Sequence, residues 1–100
     1  MKITIVSRWY NEAVFAPFFL THYNYADKIY IFPDKDTDDN TREICKQYDN
    51  VEIKEISYKQ WRVVNEIYII GRINKFVAEL KSDWVIYVDA DEFIFPKMKY

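Results

Sequence analysis

The chain predicts an α/β fold of three layers, a mostly parallel sheet with helices flanking it. Two observations carry that expectation. Short β-branched or aromatic runs alternate with stretches of helical periodicity from Lys2 to Val88. The last of these runs, Trp84-Val85-Ile86-Tyr87-Val88, is apolar on both faces, as strands inside parallel sheets are. A length of 100 residues allows one domain at most. With 50% hydrophobic residues, 30% charged and a single glycine, the chain is neither collagen-like, linker-like nor disordered.

The elements follow in order. Lys2 to Ser7 is a short β-branched strand, and Arg8-Trp9-Tyr10-Asn11-Glu12 is a polar-aromatic turn. Ala13 to Tyr23 carries Val14, Phe15, Phe18 and Phe19 at helical spacing, with Pro17 acceptable only in a first turn. Ile29 to Phe32 is a second strand, ended by Pro33. Asp34 to Asn40 is a loop, after which Asp38 or Asp39 caps a helix running to about Tyr48. Val51 to Ile56 alternates as a third strand, and Tyr58 to Arg62 is a loop. Val63 to Lys81 is the longest helix, with Ile67, Ile70, Asn74 and Val77 on one stripe and Ile69, Ile73, Phe76 and Leu80 on the next. A stripe that wide implies burial on more than one side. Ser82-Asp83 breaks it before the fourth strand, Trp84 to Val88.

Charge and cysteine content exclude several classes of function. A net charge of −2 offers no basic footprint for nucleic acid or acidic lipid. The lone Cys45 can form neither an intrachain disulfide nor a zinc site, which suits the cytoplasm. The longest apolar run, Ala13 to Leu20, contains Pro17 and is far shorter than the ~20 residues of a membrane span.

In a parallel sheet, ligands sit beyond the carboxyl ends of the strands, where strand order reverses. The polar residues gather there: Arg8 to Glu12 after the first strand, Asp34 to Asp39 after the second, and Asp89, Asp91 and Glu92 after the fourth. In Asp89-Ala90-Asp91-Glu92, residues two apart share a side of an extended chain, so Asp89 and Asp91 converge while Glu92 turns away. Adjacent carboxylates repel unless a cation lies between them, and hard divalent ions favour oxygen ligands. The plainer alternative is an ordinary acidic turn. The Asp34 to Asp39 run begins like a calcium loop, but Asp39 stands where Gly is required and Cys45 where the bidentate Glu belongs. A solvated loop with a helix cap accounts for Asp36, Asp38 and Asp39, which leaves Asp34 to face a ligand.

Arg8, Lys59, Arg62 and Arg72 flank these loops as phosphate neutralisers or as surface charge. His22 and Cys45 read as structural. Trp9, Tyr10, Tyr58 and Trp61 fall in loops, either to stack on a base or sugar or to cover the core.

Four stretches together resemble a known family. They are Arg8-Trp9-Tyr10-Asn11-Glu12-Ala13, Phe32-Pro33-Asp34-Lys35-Asp36-Thr37-Asp38, Asn74 fifteen positions before Asp89, and Tyr87-Val88-Asp89-Ala90-Asp91-Glu92-Phe93. They are similar to the Asn-Glu turn, the acid-rich second loop, the helix Asn and the Asp-x-Asp motif of GT-A-fold glycosyltransferases of family 2, in their N-terminal nucleotide-binding half. The nearest branch is the majastridin-like one. The chain departs from the family pattern with Pro33, Lys35 and Asp36 in the second loop, and with Ile73 in place of the basic residue before Asn74.

The resemblance implies a metal-dependent glycosyltransferase whose residues 1–100 form the donor-binding half-domain. By similarity, Asp34 contacts the base or ribose, and Asp89 faces the ribose or the metal. Asp91 ligates a Mn²⁺ or Mg²⁺ ion bridging the diphosphate, while Arg8, Asn11, Glu12, Arg72 and Asn74 complete the nucleotide-sugar site. The donor is a UDP- or GDP-linked sugar, and the acceptor is of unknown identity, a glycan or lipid-linked saccharide. No residue is assigned as general base. Two rivals are a non-catalytic nucleotide- or metal-binding module on the same scaffold and an Asp-x-Asp-x-Thr phosphatase. The phosphatase is disfavoured because Phe93 holds its Thr position and the motif follows the wrong strand. Phe93, Ile94 and Phe95 continue past the motif with little chain to cover them, which implies self-association.

Overall fold

The computed structural model describes residues 2–34, 37, 39–55 and 62–91, without the side chains of 62–69. Their elements are β1 (Ile3–Trp9), α1 (Ala16–His22), β2 (Lys28–Pro33), α2 (Thr41–Cys45), β3 (Val51–Ile53), α3 (Arg62–Glu79) and β4 (Trp84–Tyr87). The four strands form one sheet in the order β3-β2-β1-β4, and every pairing is parallel. The expected α/β layering with a parallel sheet is therefore what forms.

The winding explains the layers. From β1 the chain steps outward to β2 and β3, and α1 and α2 pack on one face against Ile5, Trp9, Ile29 and Ile31. It then returns past β1 to β4, and α3 packs on the other face, where Ile73 meets Val6 and Phe32. A right-handed crossover taken in the reverse direction must land on the opposite face. Alternation along β1 serves both layers, with Ile5 and Trp9 turned to one and Val6 to the other.

Several boundaries and faces differ from the sequence expectation. β1 runs on to Trp9 because β2 offers pairing partners as far as Pro33, so Arg8 and Trp9 lie in the strand and not in a turn. Trp9 is fully buried, with Phe19 edge-on at a centroid distance of 5.2 Å. It is core, not a loop aromatic for stacking; Tyr10 beside it is exposed. α1 begins at Ala16, not Ala13, and Pro17 sits at its second position, where a missing N–H costs no helical bond. Its inward stripe is Ala16, Phe19, Leu20 and Tyr23, while Val14, Phe15 and Phe18 of the expected stripe face outward.

α2 is shorter than expected and its cap residue is Asn40, not an aspartate. β3 ends at Ile53, although the Lys54 N–H still donates to the Ile31 carbonyl at 2.9 Å. Ile56 lies outside the described residues. On α3, Ile73, Phe76 and Val77 pack toward the sheet, as does Leu80 just beyond the helix, while Ile70 and Asn74 are exposed, so residues 70–80 bury one side and not several. β4 is not covered on both faces either. Trp84 and Tyr87 are 59% and 50% exposed, because β4 is an edge of the described sheet.

The amino ends of the strands carry structural acids. Asp83 accepts from the Lys2 N–H at 2.6 Å and Asp27 from the Ile3 N–H at 2.7 Å, which satisfies backbone donors at the start of β1. Cys45 is buried between α2 and the sheet, as expected of a packing residue, and burial pushes its thiol up to about 12. Among the described residues, no helix is long and apolar enough to cross a membrane.

Gly71 lies in the middle of α3, exposed, with open space where a Cβ would project. Gly71→Ala should therefore stabilise the fold by ~0.5–1 kcal/mol. Thermal unfolding should show Tm raised by about 2–8 °C; a lowered Tm would show that the helix needs glycine there.

Candidate functional site

The carboxyl ends of β1, β2 and β4 meet at one edge of the sheet, and strand order reverses between β1 and β4. The segment leaving β4 lies over the end of β1. The Val88 N–H donates to the Val6 carbonyl at 3.1 Å, and Val88 and Ala90 are buried in the core beneath α1. Asp89 and Asp91, on either side of Ala90, are exposed. Burial thus alternates over residues 88–91, with Val88 and Ala90 inside and Asp89 and Asp91 exposed. Glu92 lies outside the described residues.

The loop after β1 is stitched to the loop after β2. The Asp34 N–H donates to the Trp9 carbonyl at 2.7 Å, which carries the pairing past Pro33. Asn11 adopts a left-handed φ of 48°, a conformation asparagine tolerates better than most residues. Its backbone N–H donates to Thr37 Oγ1 at 3.4 Å, and its Oδ1 accepts from the Asp39 N–H at 3.3 Å. Asp39 in turn accepts from the Ala13 N–H at 3.1 Å, the Thr41 N–H at 3.0 Å and the Thr41 hydroxyl. Asp39 is therefore the residue before the cap of α2, and it joins that helix start to the Asn11-Glu12 turn. Burial alone would raise its pKa, but these hydrogen bonds outweigh it and hold the carboxyl below its ordinary value.

Arg8 and Asp34 form an ion pair, Nε to Oδ1 at 2.8 Å with a second, longer contact of 3.5 Å, and both side chains are largely buried. The pair presents a carboxylate and a guanidinium side by side at the ends of β1 and β2. Below it, Arg42 of α2 donates to the carbonyls of Thr37 at 2.8 Å and Asp34 at 3.5 Å, and grips Glu55 with contacts of 2.7 and 3.0 Å. The Glu55 pairing raises the Arg42 pKa, and the Arg42 pairing lowers that of Glu55.

Negative charge accumulates at the switch point. Burial, then the carboxylates of Asp91, Asp39 and Asp89, push the Glu12 carboxyl above its ordinary value. Asp89 and Asp91 are the pair on which a cation could sit. Among the described residues, no three acidic, histidine or cysteine side chains form a protein cage for a metal. That donor set fits a hard ion of the Mg²⁺ class, which commonly takes one or two carboxylates and completes its shell with substrate phosphates and water.

The structure thus gathers Arg8, Asn11, Glu12, Asp34, Asp89 and Asp91 at one edge. Arg72 and Asn74 are on α3, on the opposite face of the sheet from α1 and α2; Asn74 lines a shallow groove with Ile70, Ile73 and Tyr87. Lys59, Tyr58 and Trp61 lie outside the described residues, as do the side chain of Arg62 and the acids Asp36 and Asp38. His22 is half-buried with its ring edge-on to Tyr23, in keeping with a structural role. The residues not anticipated are Thr37, Arg42 and Glu55, which hold the second loop. For Arg42 and Glu55, thirteen positions apart, no signal in the sequence pointed that way.

The family model for glycosyl transferase family 2 matches residues 7–100, and the chain belongs to that family. The parallel sheet with helices on both faces is consistent with the GT-A fold, and the membership supports glycosyltransferase activity in general. No curated protein matches the chain.

Because its folded pKa is depressed, the Asp39 carboxylate contributes stability that is complete above the ordinary aspartate range and is lost as pH falls through the folded value beneath it. Asp39→Ala should lower stability near neutral pH by about 1–2 kcal/mol, the worth of a lost cap with its cross-loop bonds. Urea unfolding of parent and variant at pH 7 and pH 3 checks this, since the difference between them should narrow at pH 3. An equal difference at both pH values would show that the carboxylate charge does not matter.

Proposed function

We propose that this glycosyl transferase family 2 chain binds a nucleotide-diphospho-sugar together with Mn²⁺ or Mg²⁺ at the carboxyl edge of its sheet, as the donor-binding part of a glycosyltransferase. One observation carries the proposal. Asp89 and Asp91 are both exposed beside buried Ala90, next to the strand-order reversal, where burial and then the charges of Asp91, Asp39 and Asp89 raise the pKa of Glu12. Carboxylates so placed repel one another, and a divalent cation relieves that repulsion while attracting a diphosphate.

In this proposal Asp91 is the principal metal ligand, and Asp89 shares the metal or meets the ribose. Asp34 receives the base or ribose, held in orientation by Arg8, whose guanidinium also faces the anionic part of the donor. Asn11 and Glu12 shape the turn beside the diphosphate, and Arg72 and Asn74 approach from α3. When bound, the cation supplies Lewis-acid stabilisation of the negative charge on the departing nucleoside diphosphate. The chain's own residues bind and orient the donor. No general base is assigned among them, and the acceptor is a hydroxyl compound such as a glycan or lipid-linked saccharide.

Calorimetric titration of UDP and GDP, with and without Mn²⁺, into the parent and Asp91→Ala tests the proposal. Binding should require Mn²⁺ and should weaken by about 100-fold or more in the variant, or roughly 2.7 kcal/mol, with the circular dichroism spectrum unchanged. Equal binding by Asp91→Ala would remove that residue from the site. Binding that depends on Asp91, without sugar release from any activated donor, would favour the non-catalytic module.

A further inference from the structure

On β1, Ile3, Ile5, Ser7 and Trp9 share the face turned toward α1 and α2. Three of them are large and apolar. Ser7 is a hydroxyl with 0% exposure among apolar side chains, a placement that is costly unless its hydrogen-bonding capacity is used. The hydroxyl donates to the Val88 carbonyl at 2.5 Å and accepts from the Trp9 indole Nε1–H at 2.7 Å. Trp9 is itself fully buried and fixed by Phe19.

The relay ends on a particular peptide group. The Val88 carbonyl belongs to the bond that enters Asp89, immediately beyond the last residue of β4. With its N–H on Val6, its side chain in the core and its carbonyl on Ser7, Val88 is held from three directions just before Asp89. Ala90, buried in the same core, holds the segment from its other end.

We propose that Ser7 is a positioning residue for the Asp89–Asp91 segment, acting through the buried Trp9–Ser7–Val88 hydrogen-bond relay. The inference rests on the donor-site reading for its functional consequence, but not for its structural one. An apolar residue at position 7 would leave two buried partners unsatisfied, the Trp9 N–H and the Val88 carbonyl. Second-sphere groups that orient ligands commonly change metal affinity by about 10- to 100-fold.

The test measures two properties of the parent, Ser7→Ala and Ser7→Thr. One is hydrogen exchange of the Trp9 indole proton and the Asp89–Asp91 amides, relative to the Ile5 and Ile29 amides of the same core. The other is Mn²⁺-dependent UDP or GDP affinity. Ser7→Ala should speed exchange at Trp9 and residues 89–91 while the reference amides stay protected, and should weaken binding about 10- to 100-fold. Ser7→Thr, which keeps the hydroxyl, should restore both. Unchanged exchange at 89–91 in Ser7→Ala overturns the relay, as does acceleration spread evenly through the core. Should Ser7→Ala not fold, Trp9→Phe removes the indole donor and keeps an aromatic ring. Unchanged exchange at 89–91 in that variant would equally overturn the relay. If the parent binds neither nucleotide, exchange still decides the relay, and the failure belongs to the donor-site reading.

Discussion

The structure depends on the position of β1, paired on both sides and buried on both faces. β2 lies along one edge and β4 along the other, and residues 4–7 are almost wholly removed from solvent. With β1 in the centre, right-handed crossovers place α1 and α2 on one face and α3 on the other. The same winding puts the carboxyl end of β1 at the strand-order switch point, where parallel sheets take their ligands. Residues 8–12, 34, 37, 39 and 89–91, dispersed along the chain, converge there because they close or follow β1, β2 and β4, whose carboxyl ends share that edge.

What holds this edge in shape is a set of polar contacts between loops. A chain with one glycine, placed in α3, cannot shape these turns with glycine conformations. Asn11 takes the left-handed turn instead, Asp39 and Thr37 close bonds across the two loops, and Arg42 holds the second loop from below. Among the described residues, no buried side-chain nitrogen or oxygen lacks a partner. The edge is therefore preorganised on its polar side as well as its apolar side, which is how a site holds charged groups at fixed separations. The cost is electrostatic: four carboxylates come close enough that Glu12 is pushed toward its neutral form by burial and its neighbours.

Much of this was legible in the residues. Strand runs and helical runs differ in period, so the order of elements could be read, and the polar residues clustered after three strands marked the candidate edge. The misreadings have physical causes. Trp9 follows an arginine and precedes a polar turn, yet its strand partner Pro33 extends the pairing and its indole finds Ser7. In α1, two apolar stripes compete at helical spacing, and only the position of the sheet decides that Phe19 goes in and Phe18 goes out. β4 has the composition of a central strand but is an edge of the described sheet, since composition does not encode neighbours. Arg42 and Glu55 are thirteen positions apart and carry no spacing signal that would pair them.

By itself the sequence determined the alternation of elements, the family, and the presence of an acidic motif directly after the fourth strand. These are local properties, fixed by the period of the backbone and the identity of adjacent residues. Strand order, the outward face of α1, the Arg8–Asp34 pair and the buried Ser7 relay were decided only in the tertiary structure. Each depends on which distant segments share a sheet edge or a core, and that choice is made by packing across the whole chain, not by any window within it.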